Sequence, residues 1–226
     1  MRYNIFNQIH KALRALLYDT ATMVQQTDFA DATETEQTLA RLQQVLEAFE
    51  VHAFAEDHFI LPAVQKPEPE LKKLFTQEHE EDHALVQRLA ILIKAFPHTV
   101  SAAEKTKAGI SIHIAFTEFV VFNLEHMARE EEILNAALWR QYNDAQLMNL
   151  NKIIIGHVPP EALRLACRWM IKSLNNPEII TWLKQVRSTA PEPAFRELFN
   201  MAANELAPGR WQLIQEVLME GVLVAG

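Results

Sequence analysis

Seven side chains within residues 1–130 have the types and spacings of metal ligands: His10 alone, His52 with Glu56, His79 with His83, and His126 with Glu130. Residues four apart on a helix share a face one turn apart, so each pair can aim two donor atoms at one point. The apolar pattern places all seven on inward faces. His10 lies four after Phe6 and three before Leu13, His52 three after Phe49, Glu56 four before Ile60, His83 three before Val86, His126 four after Phe122, and Glu130 four before Leu134. Two carboxylates among them are costly to bury unless a cation meets them. Five imidazoles and two carboxylates exceed what one ion takes and match a pair of first-row ions. Mixed nitrogen and oxygen donors suit iron or manganese, with zinc or copper as competitors, because donor softness and affinity alone do not select iron. Cys167 is the single cysteine, which excludes an internal disulfide, argues against iron–sulfur or structural zinc ligation, and fits a reducing, cytoplasmic address.

Such a site needs long helices. Apolar patterns of helical period separated by short polar or proline-bearing breaks give four: about Ile5 to Gln26, Glu34 to Val64, Pro69 to just before Pro97, and Ser101 to Trp139. Ser101 with Glu104 makes a capping-box pattern, and Pro69 suits a first helical turn. At about 1.5 Å per residue each helix reaches roughly 30 Å or more. The expectation is an all-α chain with an up-down-up-down four-helix bundle over residues 1–140. Beyond it, residues 141–226 read as a smaller region of short helices: Asp144 to Gly156, Pro160 to Leu174, Pro177 to Arg187, Pro193 to Leu206 and Pro208 to Met219. All four tryptophans, Trp139, Trp169, Trp182 and Trp211, fall at or after this junction and suggest a core separate from that of the bundle.

The remaining polar residues have plainer readings. His58 turns away from the site, His113 sits on another face, and His98 and His157 lie near helix ends. The run Glu78, Glu80, Glu81, Asp82 reads as a solvated face around two ligands. Phe49, Phe116, Phe119 and Phe122 are core-packing residues that would also wall a pocket. A net charge of −8 without a basic cluster argues against nucleic acid. With five glycines there is no phosphate-cradling loop, and no uninterrupted apolar run of membrane-spanning length or secretory pattern is present.

The ordered set His, HxxxE, HxxxH, HxxxE, carried by HAFAE with the downstream FILPAV, EHEEDH and HMAREEEIL, resembles the hemerythrin or HHE cation-binding pattern over about residues 1–140. The resemblance implies two non-haem irons cycling between Fe2+ and Fe3+. In it His79, His83 and His126 hold one ion, His10 and His52 the other, Glu56 and Glu130 bridge them, and an oxygen-derived oxo or hydroxo group lies between. The invertebrate oxygen carriers have HxxxxD at the last motif. This sequence has HxxxE, as many bacterial members do, with Glu131 as a minor alternative to Glu130.

Two functional classes follow from an open coordination position on such a pair. One is reversible binding of dioxygen or nitric oxide as carrier or sensor. The other is an enzyme: peroxidase, oxidase, nitric oxide reductase or iron-centre repair. No core position offers an evident spare acid, base or nucleophile, and Tyr18 is the one bundle tyrosine near His10, so binding is favoured. Repair-type relatives carry an N-terminal segment with paired cysteines, whereas this sequence opens on the first bundle helix. Ferritin-like oxidases need two ExxH motifs, and only Glu80 to His83 has that spacing. Residues 141–226 are expected to be a brace or lid if their tryptophans are buried, and a dimer or protein-partner surface if exposed.

Overall fold

The computed structural model describes residues 2–223, all of whose regular structure is helical. The bundle is built from α1 (Asn7–Gln26), α2 (Ala32–Ala55), α3 (Leu61–Gln65), α4 (Pro69–Ala95), α5 (Ala102–Arg129) and α6 (Asn135–Gln141). Local chemistry sets several starts. Asp31 caps α2 by accepting from the Glu34 N–H, Ser101 and Glu104 form the capping box of α5, and Pro69 occupies the first turn of α4. α1 packs on α2 and α5, and α4 on α2 and α5, which closes a four-helix ring.

The second and fourth long helices differ from the unbroken ones that periodicity suggests. Each contains a π turn, Glu56–Ile60 between α2 and α3 and Glu130–Leu134 between α5 and α6. In the first, Pro62 lacks the N–H that an α-helix would donate four residues back, and the Leu61 N–H bonds to the Glu56 carbonyl instead. The second repeats the pattern, with the Asn135 N–H on the Glu130 carbonyl and no proline to require it. Such turns are rare inside α-helices and concentrate at functional sites.

The bundle core is split along its axis. One apolar cluster includes Leu13, Leu17, Leu42, Val45, Phe49, Val86, Leu89, Phe116, Phe119 and Met127, and a second includes Phe6, Ile60, Leu61, Val64, Phe75, Leu134 and Leu138. The polar residues His10, Glu56, His79 and Glu130 lie in sequence between members of the two, so apolar packing closes the site at both ends.

The C-terminal helices are α7 (Asp144–His157), α8 (Pro160–Ser173), α9 (Asn176–Thr189), α10 (Glu192–Glu205) and α11 (Pro208–Leu223). Their tryptophans do not form one separate core. Trp139 packs with the second bundle cluster, Trp169 enters the first through α8, and Trp182 and Trp211 pack on a third cluster of Ile171, Ile179, Leu183, Leu198, Ile214 and neighbours. The reason is that α8 lies along α1 and α2 as a fifth bundle helix. Lys11 and Asn7 of α1 also bond Glu178 of α9 at 2.5 and 3.1 Å.

The stretch Ala102–Gln141 is long and apolar enough to cross a membrane, yet it is this stretch that carries His126 and Glu130 into the bundle. On α5, Gly109 meets Phe29 of the α1–α2 loop so closely that an added Cβ would lie 2.8 Å from the Phe29 Cβ. Gly109→Ala is therefore expected to destabilise by about 1–3 kcal/mol through overpacking, even though alanine favours a helix interior by about 1 kcal/mol. A lowered Tm in thermal denaturation checks this.

Candidate metal centre

Four histidines and two glutamates converge between the apolar clusters: His10 from α1, His52 from α2, His79 from α4, His126 from α5, and Glu56 and Glu130 at the first positions of the two π turns. They form two groups of ligand atoms, each mutually within 4.8 Å: His10, His52, Glu56 and Glu130, and His79, His126, Glu56 and Glu130. Both glutamates belong to both groups. Glu56 turns Oε1 toward His52 Nε2 at 3.2 Å and His10 Nε2 at 3.8 Å, and Oε2 toward His79 Nε2 at 3.5 Å. Glu130 turns Oε2 toward His10 Nε2 at 3.4 Å, and Oε1 toward His126 Nε2 at 3.2 Å and His79 Nε2 at 3.9 Å. Each carboxylate thus offers one oxygen to each side.

The arrangement has an approximate two-fold relation. A lone histidine on α1 or α4 precedes a helix bearing HxxxE and a π turn, and the acid just after each glutamate crosses to the lone histidine of the other half. Asp57 Oδ1 accepts from His79 Nδ1 at 2.7 Å, and Glu131 Oε1 from His10 Nδ1 at 2.9 Å. Glu78 Oε2 accepts from His126 Nδ1 at 2.7 Å. An Nδ1–H held by a carboxylate fixes the ring and leaves Nε2 as the electron-pair donor, the usual way a protein prepares histidine for a metal. Phe6 lies against His10 with centroids 5.0 Å apart, and Phe75 and Phe122 each against His126 at 5.8 Å.

The residues fit a cation. Glu56 and Glu130 are 2% and 0% exposed, and all four of their carboxylate oxygens, with His79 Nε2, lack a hydrogen-bond partner. Buried acceptors left in this way cost about 1–3 kcal/mol each, more when charged, and metal ions would satisfy them together.

His83 is not brought to this cluster. It is exposed, with Nε2 2.8 Å from the Gln87 amide. The buried residues of α4, Phe75, Glu78, His79, Asp82, Val86 and Leu89, define its inward stripe, and at about 100° per residue His83 falls roughly 90° from the stripe's centre. Spacing from Val86 alone did not reveal this. Asp82 takes the inward position instead, accepting a 2.7 Å bond from the buried Asn123 amide. Glu80 is exposed too, so the isolated ExxH spacing leads nowhere, and Tyr18 is on the surface, as are His58, His98, His113 and His157. Glu131 supports His10 rather than replacing Glu130. Glu78 and Asp82, read as part of a solvated run, are buried, whereas Glu80 and Glu81 are solvated. A charged residue beside an inward ligand was the available signal for Asp57, Glu78 and Glu131. Nothing in the spacing announced Asn123.

Burial lowers the affinity of these imidazoles for protons, and the surrounding carboxylates oppose it. For His79 the opposition by Asp57, Glu130 and Glu56 wins, and its pKa is pushed up to about 12. For His126, Glu130, Glu56 and Glu78 raise it to about 9. His10 is also raised, by Glu131 and Glu56, while in His52 burial outweighs Glu56 and the pKa falls. Burial and then His52, His10 and His79 set Glu56, with the histidines holding it well below the usual carboxylate range. Burial raises Glu131, but His10 and Arg14 bring it down to about 2.

In the metal-free protein, protons on His79 and His126 therefore neutralise the glutamates, and a cation must displace them. Both folded-state values lie above the unfolded 6.5, so this stabilisation is complete below pH 6.5 and is lost as pH rises through about 9 for His126 and about 12 for His79. The Tm of chelator-treated protein is expected to fall between about pH 7 and about pH 10, and that of metal-loaded protein to change less, with proton release on metal uptake measurable by pH-stat titration.

The chain matches the profile of the Hemerythrin HHE cation binding domain over residues 1–138, more than half of its length. No curated protein and no solved structure matches it. The matched span contains both groups of potential metal ligands, and the chain belongs to the hemerythrin HHE cation-binding family.

Proposed function

We propose that the protein holds two iron ions bridged by Glu56 and Glu130 and binds dioxygen or nitric oxide at that pair, as a carrier or sensor. The observation that carries the reading is the sharing of two carboxylates between two histidine pairs, one oxygen to each side. Each position has two imidazole nitrogens and two carboxylate oxygens from the chain, and first-row ions such as iron take up to about six donors, so room remains for a small ligand. Reduced iron supplies the electrons that make attachment of dioxygen reversible. The chain's own part is to orient the imidazoles through Asp57, Glu78 and Glu131, to exclude bulk water with Phe6, Phe75 and Phe122, and to hold α1 in place through α8 and Glu178. A reducing cytoplasmic address accompanies this reading. The Cys167 thiol, pushed up to about 11 by burial and Glu197, is not poised as a nucleophile.

One observation favours the enzymatic reading. Asp82 is a buried carboxylate, raised by burial, three residues after His79 and outside the six-residue set. It is the spare acid that a peroxidase, oxidase or nitric oxide reductase would use, and general acid–base groups contribute about 100- to 10,000-fold.

Metal analysis after expression in iron-supplied cells is expected to give about two irons per chain. On anaerobic reduction and then oxygen exposure, a near-ultraviolet to visible band should appear and reverse when oxygen is removed. Irreversible oxidation with turnover that Asp82→Asn slows would move the assignment to an enzyme, and absence of metal would sink both. His83→Ala is expected to keep both ions, whereas His79→Ala should lose one. Loss of an ion from the His83 variant would return that residue to the ligand set.

A further inference from the structure

The two halves of the centre differ where their helices should correspond. On α4, His79 is preceded by Glu78 and followed three residues later by Asp82, both buried. On α1, the equivalent neighbours of His10 are Ile9 and Leu13. The consequence is visible around the rings. His79 and His126 each give Nδ1 to a carboxylate, Asp57 and Glu78, both at 2.7 Å. In the other half His10 has Glu131, at 2.9 Å, but His52 has no protein partner for its Nδ1 among the described residues, and its side chain, 10% exposed, is the most exposed of the four. Charge follows the same division. Asp57, Glu78 and Asp82 surround the His79 and His126 side with Arg129 as the counter-charge 3.0 Å from Glu78, whereas Glu131 alone serves the His10 and His52 side and is paired at 2.7 Å with Arg14.

We propose that these outer carboxylates make the two metal positions unequal, so that the His79/His126 position fills first and empties last while the His10/His52 position is the exchangeable one. Two effects act in the same direction. A carboxylate on Nδ1 increases the donor strength of Nε2 and removes ring rotation as a cost of binding, and loss of such a partner typically weakens a metal site about 10- to 100-fold. Glu78, buried against His126, also places negative charge on that side, which favours a divalent cation there. Glu78 and Asp57 are positioning residues, acting on the ion through His126 and His79. Occupancy then passes through a one-metal form with the ion at His79 and His126, and the His10/His52 position is where metal is gained, lost or replaced.

This inference rests on the two-metal reading above, and one experiment separates their failures. The full chain, stripped with chelator, is titrated anaerobically with Co2+ or Fe2+ by calorimetry and chelator competition. The wild type should show two steps at least about tenfold apart. Glu78→Gln, isosteric and chosen to preserve packing, should weaken the tight step by about 10- to 100-fold and leave the weak one in place. Asp57 is 43% exposed in its side chain, so Asp57→Asn carries little folding risk and should do the same. Glu131→Gln should weaken the other step, a distinction that general loss of structure would not produce. His52→Ala should retain the tight step with one ion per chain. Two equal steps, or Glu78→Gln acting on the weak step, would overturn the inequality and leave the two-metal reading standing. No binding at all would overturn both.

Discussion

Two carboxylates in the middle of a helical bundle must be met by positive charge, and most of this structure answers that requirement. Glu56 and Glu130 are sealed from solvent with no hydrogen bond to any oxygen, a state that a folded chain sustains only when protons on nearby imidazoles or a cation compensate. The histidines supply either solution: His79 and His126 hold protons beside the glutamates in the metal-free protein, and all four Nε2 atoms are available as donors to a cation. Metal and proton therefore compete for one set of atoms, and stability, pH and occupancy are coupled through them.

The surrounding architecture serves this small polar volume. Apolar clusters close the bundle above and below it, so the charges stay in a medium where their interactions are strong. A π turn begins at each glutamate, and the acid that follows reaches across to the opposite half. The two halves thus hold one another's histidines. The C-terminal helices act on the same volume from outside. α8 lies against α1, and the Glu178 contacts grip the turn of α1 that bears His10.

The approximate two-fold relation is broken around the histidine rings as well as by the docking of α8 on α1 and α2. Acids at 78 and 82 stand where α1 has aliphatic residues, so one imidazole pair is fully anchored and the other is not. Two groups of ligand atoms that share their carboxylates are in this way surrounded differently without any change of fold.

Helical periodicity, capping signals and the HxxxE pairs were local properties, and the sequence alone determined the all-helical class, the four long segments, and the inward placement of His10, His52, Glu56, His79, His126 and Glu130. Those depend on spacing within one helix, where about 100° per residue fixes direction. It did not determine the direction of His83, because one apolar neighbour leaves the stripe's centre undefined, and the burial of Asp82 and Glu78 depended on which side of α4 faces α5. The π turns, the crossing of Asp57 and Glu131 to the far half, and the docking of Trp169 into the bundle were decided by tertiary packing. The last two are contacts between residues far apart in the chain, whose energy no local pattern encodes, and the π turns are local bonds that helical periodicity does not distinguish from α-helix.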